Sequence, residues 1–414
     1  MPLFCTIQSN KLLINKSFNQ IVIMKKKLLL IALFTIALSS AFAQTATKDT
    51  AKAAPAPAPT SPLSMPGMAG PLTINPTPLK FGSIYVSGVA SGLVQAQNSV
   101  VPGDKPLLSD VSNAQIFIQK VDGVFQFFVQ VGGYSLPDIG VPYLRSGLAT
   151  NAYYGLLPQG FIKLAPTKNF SIEVGKLPTL IGAEYTFSFE NMNIQRGLLW
   201  NQENAVNRGV QLNLTTGPVT FAASYNDGLY SNNYNWIWGS VTYTVNATNT
   251  LALIGGGSTS RTTISTPVTP TYLNNEQIFN LIYTHVAGAW TIQPYLQYTS
   301  VPASPVIGTT EKASTYGAAL LVNYSNPSGF SLPFRLEYIS STGTAAGGAP
   351  NLMYGPGSNA WSVTVTPTYQ YKQFFARGEV SYVSAGSITN GMAFGPIGND
   401  SSQLRGLIEV GVLF

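Results

Sequence analysis

The connections between alternating segments constrain this chain more than any single motif does. From residue 81 to residue 414, about sixteen segments alternate apolar and polar side chains, the pattern of β-strands. Short connections rich in turn formers, such as Asp122-Gly123 and "NPSG" from Asn326, alternate strictly with long ones. The long connections are 96–111, 135–158, 177–207, 227–234, 260–275, 300–312, 341–358 and 385–402. All tight turns therefore lie at one end of a sheet, and all long loops lie at the other.

This sorting of the connections distinguishes between two all-β folds. A soluble β-sandwich also alternates, but its Greek-key connections do not place every long loop at one end. Bacterial outer-membrane barrels do so, with short periplasmic turns and longer external loops. The segments have roughly 10 to 13 residues, close to the ~9–11 that cross a bilayer. We therefore predict an all-β fold, a transmembrane antiparallel up-and-down β-barrel of about 16 strands with a long third external loop.

The two faces of single segments support the same fold. In "AWSVTVTPTYQY", which starts at Ala360, one face is aromatic or branched and the other carries only Ser, Thr and Gln. Such a face is too consistently polar for a packed core, which indicates a water-filled interior. Aromatic residues near segment ends, such as Tyr298, Tyr324 and Tyr371, are predicted to lie at the membrane interfaces.

The chain ends on an alternating segment, "LRGLIEVGVLF". Ile408, Val410 and Phe414 share one face, and Arg405 and Glu409 share the other. Phe414 is thus predicted to be the last lipid-side residue of the closing strand. A terminal aromatic residue of this kind resembles the signal that the barrel assembly machinery reads, so we interpret Phe414 as an assembly signal.

The first 43 residues are predicted to be a signal peptide. From Met24, three lysines precede an apolar run and the small-residue ending Ala41-Phe42-Ala43, so cleavage is expected before Gln44. Residues 1–23 fit neither signal nor domain and are interpreted as lying upstream of the real start. Removing five lysines leaves 22 − 5 = 17 basic against 16 acidic residues, or +1. The basic isoelectric point therefore does not indicate nucleic-acid binding.

Residues 44–80 are predicted to be a disordered, Ala/Pro-rich periplasmic segment. The stretch "AAPAPAPTSP" from Ala53 cannot bury a core and favours an extended tether. The barrel is then assigned to residues 81–414. The single cysteine, Cys5, leaves with the signal peptide, so the mature chain forms no disulfide.

The third long connection, 177–207, is too long to be an idle link. The stretch "IEVGKLPTLIGAEYTFSFENMNIQRGLLW", from Ile172 to Trp200, carries Gly-Lys, then Pro-Thr, Gly-x-Glu, an Asn-containing part and Arg before an apolar pair. It resembles the putative β-barrel porin family of OmpL-like outer-membrane proteins. The resemblance implies a pore without a defined substrate. The family has Ser-Arg where this chain has Gln195-Arg196.

The polar residues of this connection are candidates for a pore constriction, because a narrow, low-dielectric passage magnifies each fixed charge. They are Glu184, Glu190, Asn191, Asn193, Arg196 and Glu203. The alternative is that Glu190 and Arg196 pair with the wall and only hold the loop. Charged residues at inward strand positions are predicted to form the pore wall: Lys163, Glu173, Arg335, Glu337, Arg377, Glu379, Arg405 and Glu409. The last four could form a cross-strand charge ladder.

Residues for catalysis are scarce. His285 lies on the apolar side of its segment with no serine motif that points to a partner, so a structural role is preferred. "GGGS" from Gly255 lacks the Lys of a phosphate loop, and no metal-ligand spacing occurs. We therefore expect no enzyme activity, no catalytic residues, no metal and no cofactor.

Two functions remain open on the sequence alone. The first is an outer-membrane porin of a Gram-negative bacterium, a passive diffusion channel for small hydrophilic solutes or ions. The alternative is a barrel with a closed lumen whose external loops act as an adhesin or receptor. The expected partners are outer-membrane lipid and the barrel assembly machinery, with a homotrimer by analogy only and no nucleic acid.

Overall fold

The computed structural model describes residues 72–74 and 82–414. Its single sheet has 18 segments, of which Leu72–Ile74 is an extra strand and two others form one interrupted strand, which leaves 18 − 1 − 1 = 16 barrel strands. The barrel strands are β1 (Ile84–Gln97), β2 (Leu107–Lys120), β3 (Phe125–Tyr134), β4 (Gln159–Thr167), β5 (Phe170–Pro178), β6 (Val206–Thr216), β7 (Val219–Asn226), β8 (Trp236–Asn246), β9 (Asn249–Ser258), β10 (Gln277–Ala287), β11 (Trp290–Val301), β12 (Ala313–Ser325), β13 (Phe330–Ser341), β14 (Asn359–Val365 with Thr368–Tyr371), β15 (Phe374–Gly386) and β16 (Ser402–Leu413).

Helical structure is confined to short turns in the loops. They are the α-helical turn Ser146–Leu148, the π-helical turn Ala149–Tyr153, and the 3₁₀ turns Ser188–Glu190, Trp200–Gln202, Leu273–Asn275 and Pro305–Ile307. In the part of the chain that the structure describes, no helix is long and apolar enough to cross a membrane. The predicted signal peptide, 1–43, lies outside the described residues, as does 44–80 except for Leu72–Ile74.

The sheet closes on itself. Each strand pairs antiparallel with the next, and β16 pairs with β1 from Arg405–Gln97 to Leu413–Val89. Short turns occupy one end, which we call the turn end, and the eight long loops occupy the other. The predicted fold class, a closed antiparallel barrel of 16 strands, is confirmed.

The predicted lipid-facing positions are exposed on the outside. On β14, Trp361 is 41% and Tyr369 51% exposed, whereas the intervening Ser362 and Thr364 are fully buried. β14 is interrupted at Thr366-Pro367, because proline has no backbone N–H to donate to the ladder. The period-two pattern therefore identified the outward face of this strand correctly.

A β-bulge explains why the predicted start of the second strand was wrong. The sequence placed this strand at 112–121, but β2 begins at Leu107. Ser91 pairs with Asn113 and the next residue, Gly92, pairs with Val111, so Ser112 is an extra residue. An extra residue reverses the alternation, so a period-two pattern ends there although the strand continues.

The barrel seam joins the C-terminus to Gly88. The Phe414 N–H donates to the Gly88 carbonyl at 3.0 Å, and the Gly88 N–H donates to the Phe414 carbonyl at 2.7 Å. The Phe414 ring covers Gly88 on the outer face, where a Cβ would lie 2.3 Å from the ring Cζ. Below it, the extra strand pairs Leu72 with Val86 and Ile74 with Ile84, so it covers the β1 edge that the chain end leaves open.

The inner wall is less polar than the sequence indicated. Apolar side chains on the inner faces of β9, β10, β12 and β13 are buried in one cluster with two residues of the third loop: Ile254, Ile282, Leu321, Ile339, Ile181 and Leu199. The expectation of a uniformly polar, water-filled interior was wrong for this sector. The loop brings its own apolar side chains into the barrel, and matching wall positions remove that surface from water.

Candidate functional site

The third loop, L3 (179–205), lies inside the barrel and is anchored around much of the wall. Hydrogen bonds join L3 to β2 and to β10 through β16. Examples are the bonds of Ser188 with Asn113 (2.9 Å), Gly182 with Asn280 (2.9 Å), Leu199 with Gln297 (2.9 Å), Asn193 with Thr366 (2.7 Å) and Ser188 with Glu409 (3.1 Å). L3 therefore crosses the lumen as a fixed element.

Gln195 is the central anchor of L3, and it is fully buried. Its Nε2 donates to Oε1 of Glu379 at 2.8 Å and to Oγ of Ser381 at 3.0 Å. Its Oε1 accepts from Nη1 of Arg405 at 2.7 Å, and its backbone carbonyl accepts from Arg335 at 2.7 Å. Its backbone N–H donates to Glu379 at 3.1 Å, so all four polar groups of this residue pair with charged side chains. The sequence marked Gln195 only as a departure from the family pattern, and its role in fixing L3 was missed.

Glu379 binds backbone N–H groups in the same part of L3. Its carboxylate accepts the backbone N–H of Ile194 at 2.5 Å and of Gln195 at 3.1 Å, and the hydroxyl of Thr366 at 2.7 Å. A carboxylate that accepts several donors fixes the loop strongly, because charge-assisted hydrogen bonds are the strong ones.

Glu184 belongs to a buried charge cluster with two wall residues. Nη1 of Arg335 donates to Oε1 of Glu184 at 2.6 Å, and Nε of Arg335 lies 3.1 Å from Oε2 of Glu337. The Gly197 N–H also donates to Glu184, at 2.7 Å. One guanidinium thus serves two carboxyl groups, and the cluster carries one negative charge when both are ionised.

Arg196 is fully buried and pairs with another loop rather than with the wall. Its Nε lies 2.5 Å from Oδ1 of Asp138, which belongs to the second loop, L2 (135–158). The guanidinium also donates to the Thr186 carbonyl and lies over the Trp200 ring at 5.2 Å. Among the described residues, Arg196 forms no ion pair with the wall, which was the alternative considered from sequence. Asp138 was missed because pairing between loops leaves no periodic signal.

Glu190, Asn191 and Asn193 hold the shape of L3. Oε2 of Glu190 accepts the Phe187 N–H at 3.2 Å, and Nδ2 of Asn191 donates to the carbonyls of Tyr185 and Phe187 at 2.7 and 2.9 Å. Burial raises the pKa of Glu190 to about 7. Unlike Glu184 and Arg196, Glu190 has no ion-pair partner among the described residues.

Glu203 lies at the end of L3, nearly buried. The Tyr295 hydroxyl donates to its Oε1, whereas its Oε2 has no hydrogen-bond partner in the part of the chain described. Burial raises the pKa of Glu203 to about 8. Burial also raises the pKa of Glu184 to about 7, so all three carboxyl groups of L3 titrate near neutral pH.

All the predicted wall residues lie on the inner face, but the ladder is only partly formed. Arg377 and Glu409 are directly opposite in the register and form an ion pair. Glu379 and Arg405 contact L3 instead of each other. On the other side of the lumen, Nζ of Lys163 lies 3.2 Å from Oε1 of Glu173, and the Lys163 side chain keeps 31% of its exposure.

An aromatic ladder crosses the inner wall beside L3. The ring of Phe189 lies 5.6 Å from Phe117, which lies 6.2 Å from Phe128, which lies 5.6 Å from Phe161. Sequence reasoning missed these residues. The sequence did contain a signal for this ladder, since Phe117 lies between Gln115 and Gln119 on an otherwise polar strand face. An aromatic ring on the inner face requires a packing partner inside the barrel.

The outer loops pack above L3. L2 meets L7 (342–358), where the Tyr354 hydroxyl donates to the Gly140 carbonyl at 3.1 Å. L7 meets L8 (387–401), where the Tyr354 and Phe394 rings lie 5.1 Å apart. Gln202 of L3 donates to the Leu352 carbonyl at 3.2 Å. The external mouth is thus narrowed by several loops and not by L3 alone.

The described residues offer little for other chemistry. No group of His, Cys, Asp and Glu side chains in 82–414 is arranged to hold a metal ion. His285 lies near the turn end, with Nδ1 2.7 Å from Oδ1 of Asn249.

A closed sixteen-strand barrel with short turns at one end and a loop anchored across its lumen is the architecture of a porin of the Gram-negative outer membrane. The sequence agrees: residues 83–414 match the family described as "Putative beta-barrel porin-2, OmpL-like", and the chain belongs to this family. The predicted family, the outer-membrane location and the porin function are confirmed.

Solved outer-membrane proteins share the fold at low sequence identity. OmpT of Vibrio cholerae superposes with a TM-score of 0.53 at 13% identity, over 80% of this chain and 98% of that one. The outer-membrane channel DcaP of Acinetobacter baumannii gives 0.53 at 10% identity, over 81% and 98%. OmpF of Salmonella typhi, in complex with daunomycin, gives 0.53 at 12% identity, over 83% and 100%. No curated protein matches the sequence.

Proposed function

We propose that this porin is a passive channel with a mild preference for cations, and that L3 sets the preference. The observation that carries the proposal is an excess of carboxylates at the level of L3. The lumen groups described above, with Asp104 beside Arg405 at 3.9 Å, comprise nine acidic and five basic side chains, so 5 − 9 = −4 when every carboxyl group is ionised. The acidic ones are Asp104, Asp138, Glu173, Glu184, Glu190, Glu203, Glu337, Glu379 and Glu409, and the basic ones are Lys163, Arg196, Arg335, Arg377 and Arg405.

The proposed route for solutes follows the wall opposite the L3 anchors. The hydrogen bonds that hold L3 to the wall end on β2 and on β10 through β16. Apolar side chains of β8 and β9 share a buried cluster with L3, so β4 to β7 form the less occupied side. The partly exposed Lys163 and its partner Glu173 lie there. Fixed charges in a narrow passage act at short range, where water screens them least.

The test is the reversal potential of the purified protein in a planar bilayer under a salt gradient. The variant Glu190→Gln/Glu203→Gln removes two carboxyl groups that lack ion-pair partners among the described residues. At about pH 9, where both groups are ionised in the parent, the variant should shift the potential toward anions while the barrel still assembles. Glu311→Gln is a matched control, because Glu311 lies in the loop between β11 and β12, outside the lumen group. An unshifted reversal potential would mean that residues other than Glu190 and Glu203 set the ion preference. A parent protein without conductance would favour the adhesin or receptor function.

Transport of this kind needs no covalent step, and we infer that the protein is not an enzyme. The placement of His285 beside Asn249 supports a structural role for the imidazole. Incubation of the purified protein with phospholipid and peptide substrates should give no turnover, and a turnover lost in His285→Ala would contradict the inference.

We further propose a homotrimer in the outer membrane, assembled by the barrel assembly machinery and surrounded by lipid. The broad apolar outer face supports contacts with lipid or with other copies. Chemical cross-linking in outer-membrane vesicles followed by mass determination should give three copies, and a single copy would exclude the trimer.

A further inference from the structure

Between β6 and β14, the turn-end half of the inner wall carries hydroxyl and amide groups in place of charges. From β6 to β14, inner positions near the turns include Asn213, Thr242, Thr291, Asn323, Ser331 and Gln370. In the described barrel, the charged side chains of these strands lie at the L3 level, as Arg335 and Glu337 do, or near strand ends. A solute that has passed L3 therefore meets a neutral, hydrogen-bonding surface.

A cavity of about 250 Å³ lies beneath L3 on this surface. Phe189, Glu190 and Asn191 of L3 line one side, Asn323, Ser331 and Gln370 line the wall, and Phe375 adds an apolar ring. At ~30 Å³ for each water, the cavity holds roughly eight waters. This is room for a compact solute such as a monosaccharide and too little for an oligosaccharide.

The cavity offers unused hydrogen-bonding capacity but no free positive charge. Nδ2 of Asn323 donates to Oγ of Ser325 at 2.9 Å, while Oδ1 of Asn323 has no partner within the described residues. Arg377 also lines the cavity, but Glu409 neutralises it. Glu190 of L3 also lines the cavity and forms no ion pair among the described residues, so binding of an anion is disfavoured. A hydroxyl group can donate to Asn323 or to the Glu190 carboxylate and accept from Gln370.

We propose that this cavity is a binding site for a small neutral polyol of monosaccharide size, which the solute occupies on the periplasmic side of L3. The proposal rests on the porin function and specifies a substrate class for it. Hydrogen bonds to a hydrated wall give weak binding. Weak binding is compatible with transport, because a solute must leave the site as readily as it enters.

Binding is measured by saturation-transfer NMR of D-glucose with the full-length mature protein in detergent, and again as glucose-dependent reduction of ion current in a bilayer. Both should saturate with glucose concentration. Asn323→Ala and Gln370→Ala should each weaken binding by about threefold to tenfold, the effect of one neutral hydrogen bond. The control is Asn213→Ala, an inward amide at the same end that does not line the cavity, and it should bind like the parent.

The possible outcomes distinguish failure of the glucose-site proposal from failure of the channel function. Glucose binding without ion current would support the site and overturn the channel. Ion current without saturable glucose binding would leave the channel standing and overturn the site. Block by choline but not by glucose would assign the cavity to cations, and equal weakening in all three variants would overturn its placement beneath L3.

Discussion

The Gln195 anchor predicts that L3 can be released by a single substitution. Gln195→Ala removes three side-chain hydrogen bonds, two of them to the charged partners Glu379 and Arg405. A hydrogen bond to a charged group contributes about 1.5–3 kcal/mol and a neutral one about 1 kcal/mol. Glu379 keeps its backbone donors, so we take the low end for the two charged bonds, about 3 kcal/mol together, which with the neutral bond gives about 4 kcal/mol for undocking of L3. At about 1.4 kcal/mol per decade this is roughly a 700-fold shift toward the undocked loop.

Limited trypsin digestion measures this shift directly. Arg196 is the only basic residue between Thr179 and Ala205, and it is fully buried when L3 is docked. Cleavage after Arg196 should therefore be slow in the parent protein and much faster in Gln195→Ala. Bilayer recordings of the variant should show a larger and noisier conductance. Asn201→Ala is the control, since Asn201 of L3 makes one neutral hydrogen bond, to the Ile139 carbonyl at 3.1 Å.

A charge exchange tests the pairing itself. Gln195→Glu places a second carboxylate beside Glu379, and Glu379→Gln removes the charge that binds the loop backbone, so each single variant should release L3. In the double variant the new amide can donate to the new carboxylate, which still accepts from Arg405, so resistance to trypsin should return in part. Resistance in Gln195→Ala equal to that of the parent would refute the assignment of Gln195 as the anchor.

Three further predictions follow from the lumen, the seam and the loops. Because burial raises the pKa of Glu203 to about 8, the L3 carboxyls ionise as pH rises, and the cation preference should increase between about pH 6 and 9 in reversal-potential measurements. A pH-independent preference would contradict this. Gly88→Leu should lower outer-membrane levels on immunoblots, because a side chain there collides with the Phe414 ring; adding Phe414→Ala should not lower them further. Epitope tags within 260–275 should be reachable by antibody on intact cells, whereas a tag at Asn326 should not, and equal labelling would reverse the orientation.

The placement of the candidate site residues could be predicted only in part. Alternation assigned Lys163, Glu173, Arg377 and Glu409 to the inner face, because the side-chain period of a strand is fixed by backbone geometry. The same reasoning placed Arg335 inside but could not name Glu184 as its partner, since the two are far apart in sequence.

Local pattern thus determined the barrel, its strand number and the face of most strand side chains, except where the bulge at Ser112 reverses the alternation in β2. These follow from the period of two and from the lengths of turns and loops, which act over a few residues. The path of L3 was decided only by the tertiary structure, because it depends on matches between distant residues: Gln195 with Glu379 and Arg405, and Leu199 with the apolar sector of the wall. These contacts form only when the closed sheet surrounds the loop. The periodic pattern of the sequence therefore cannot predict them.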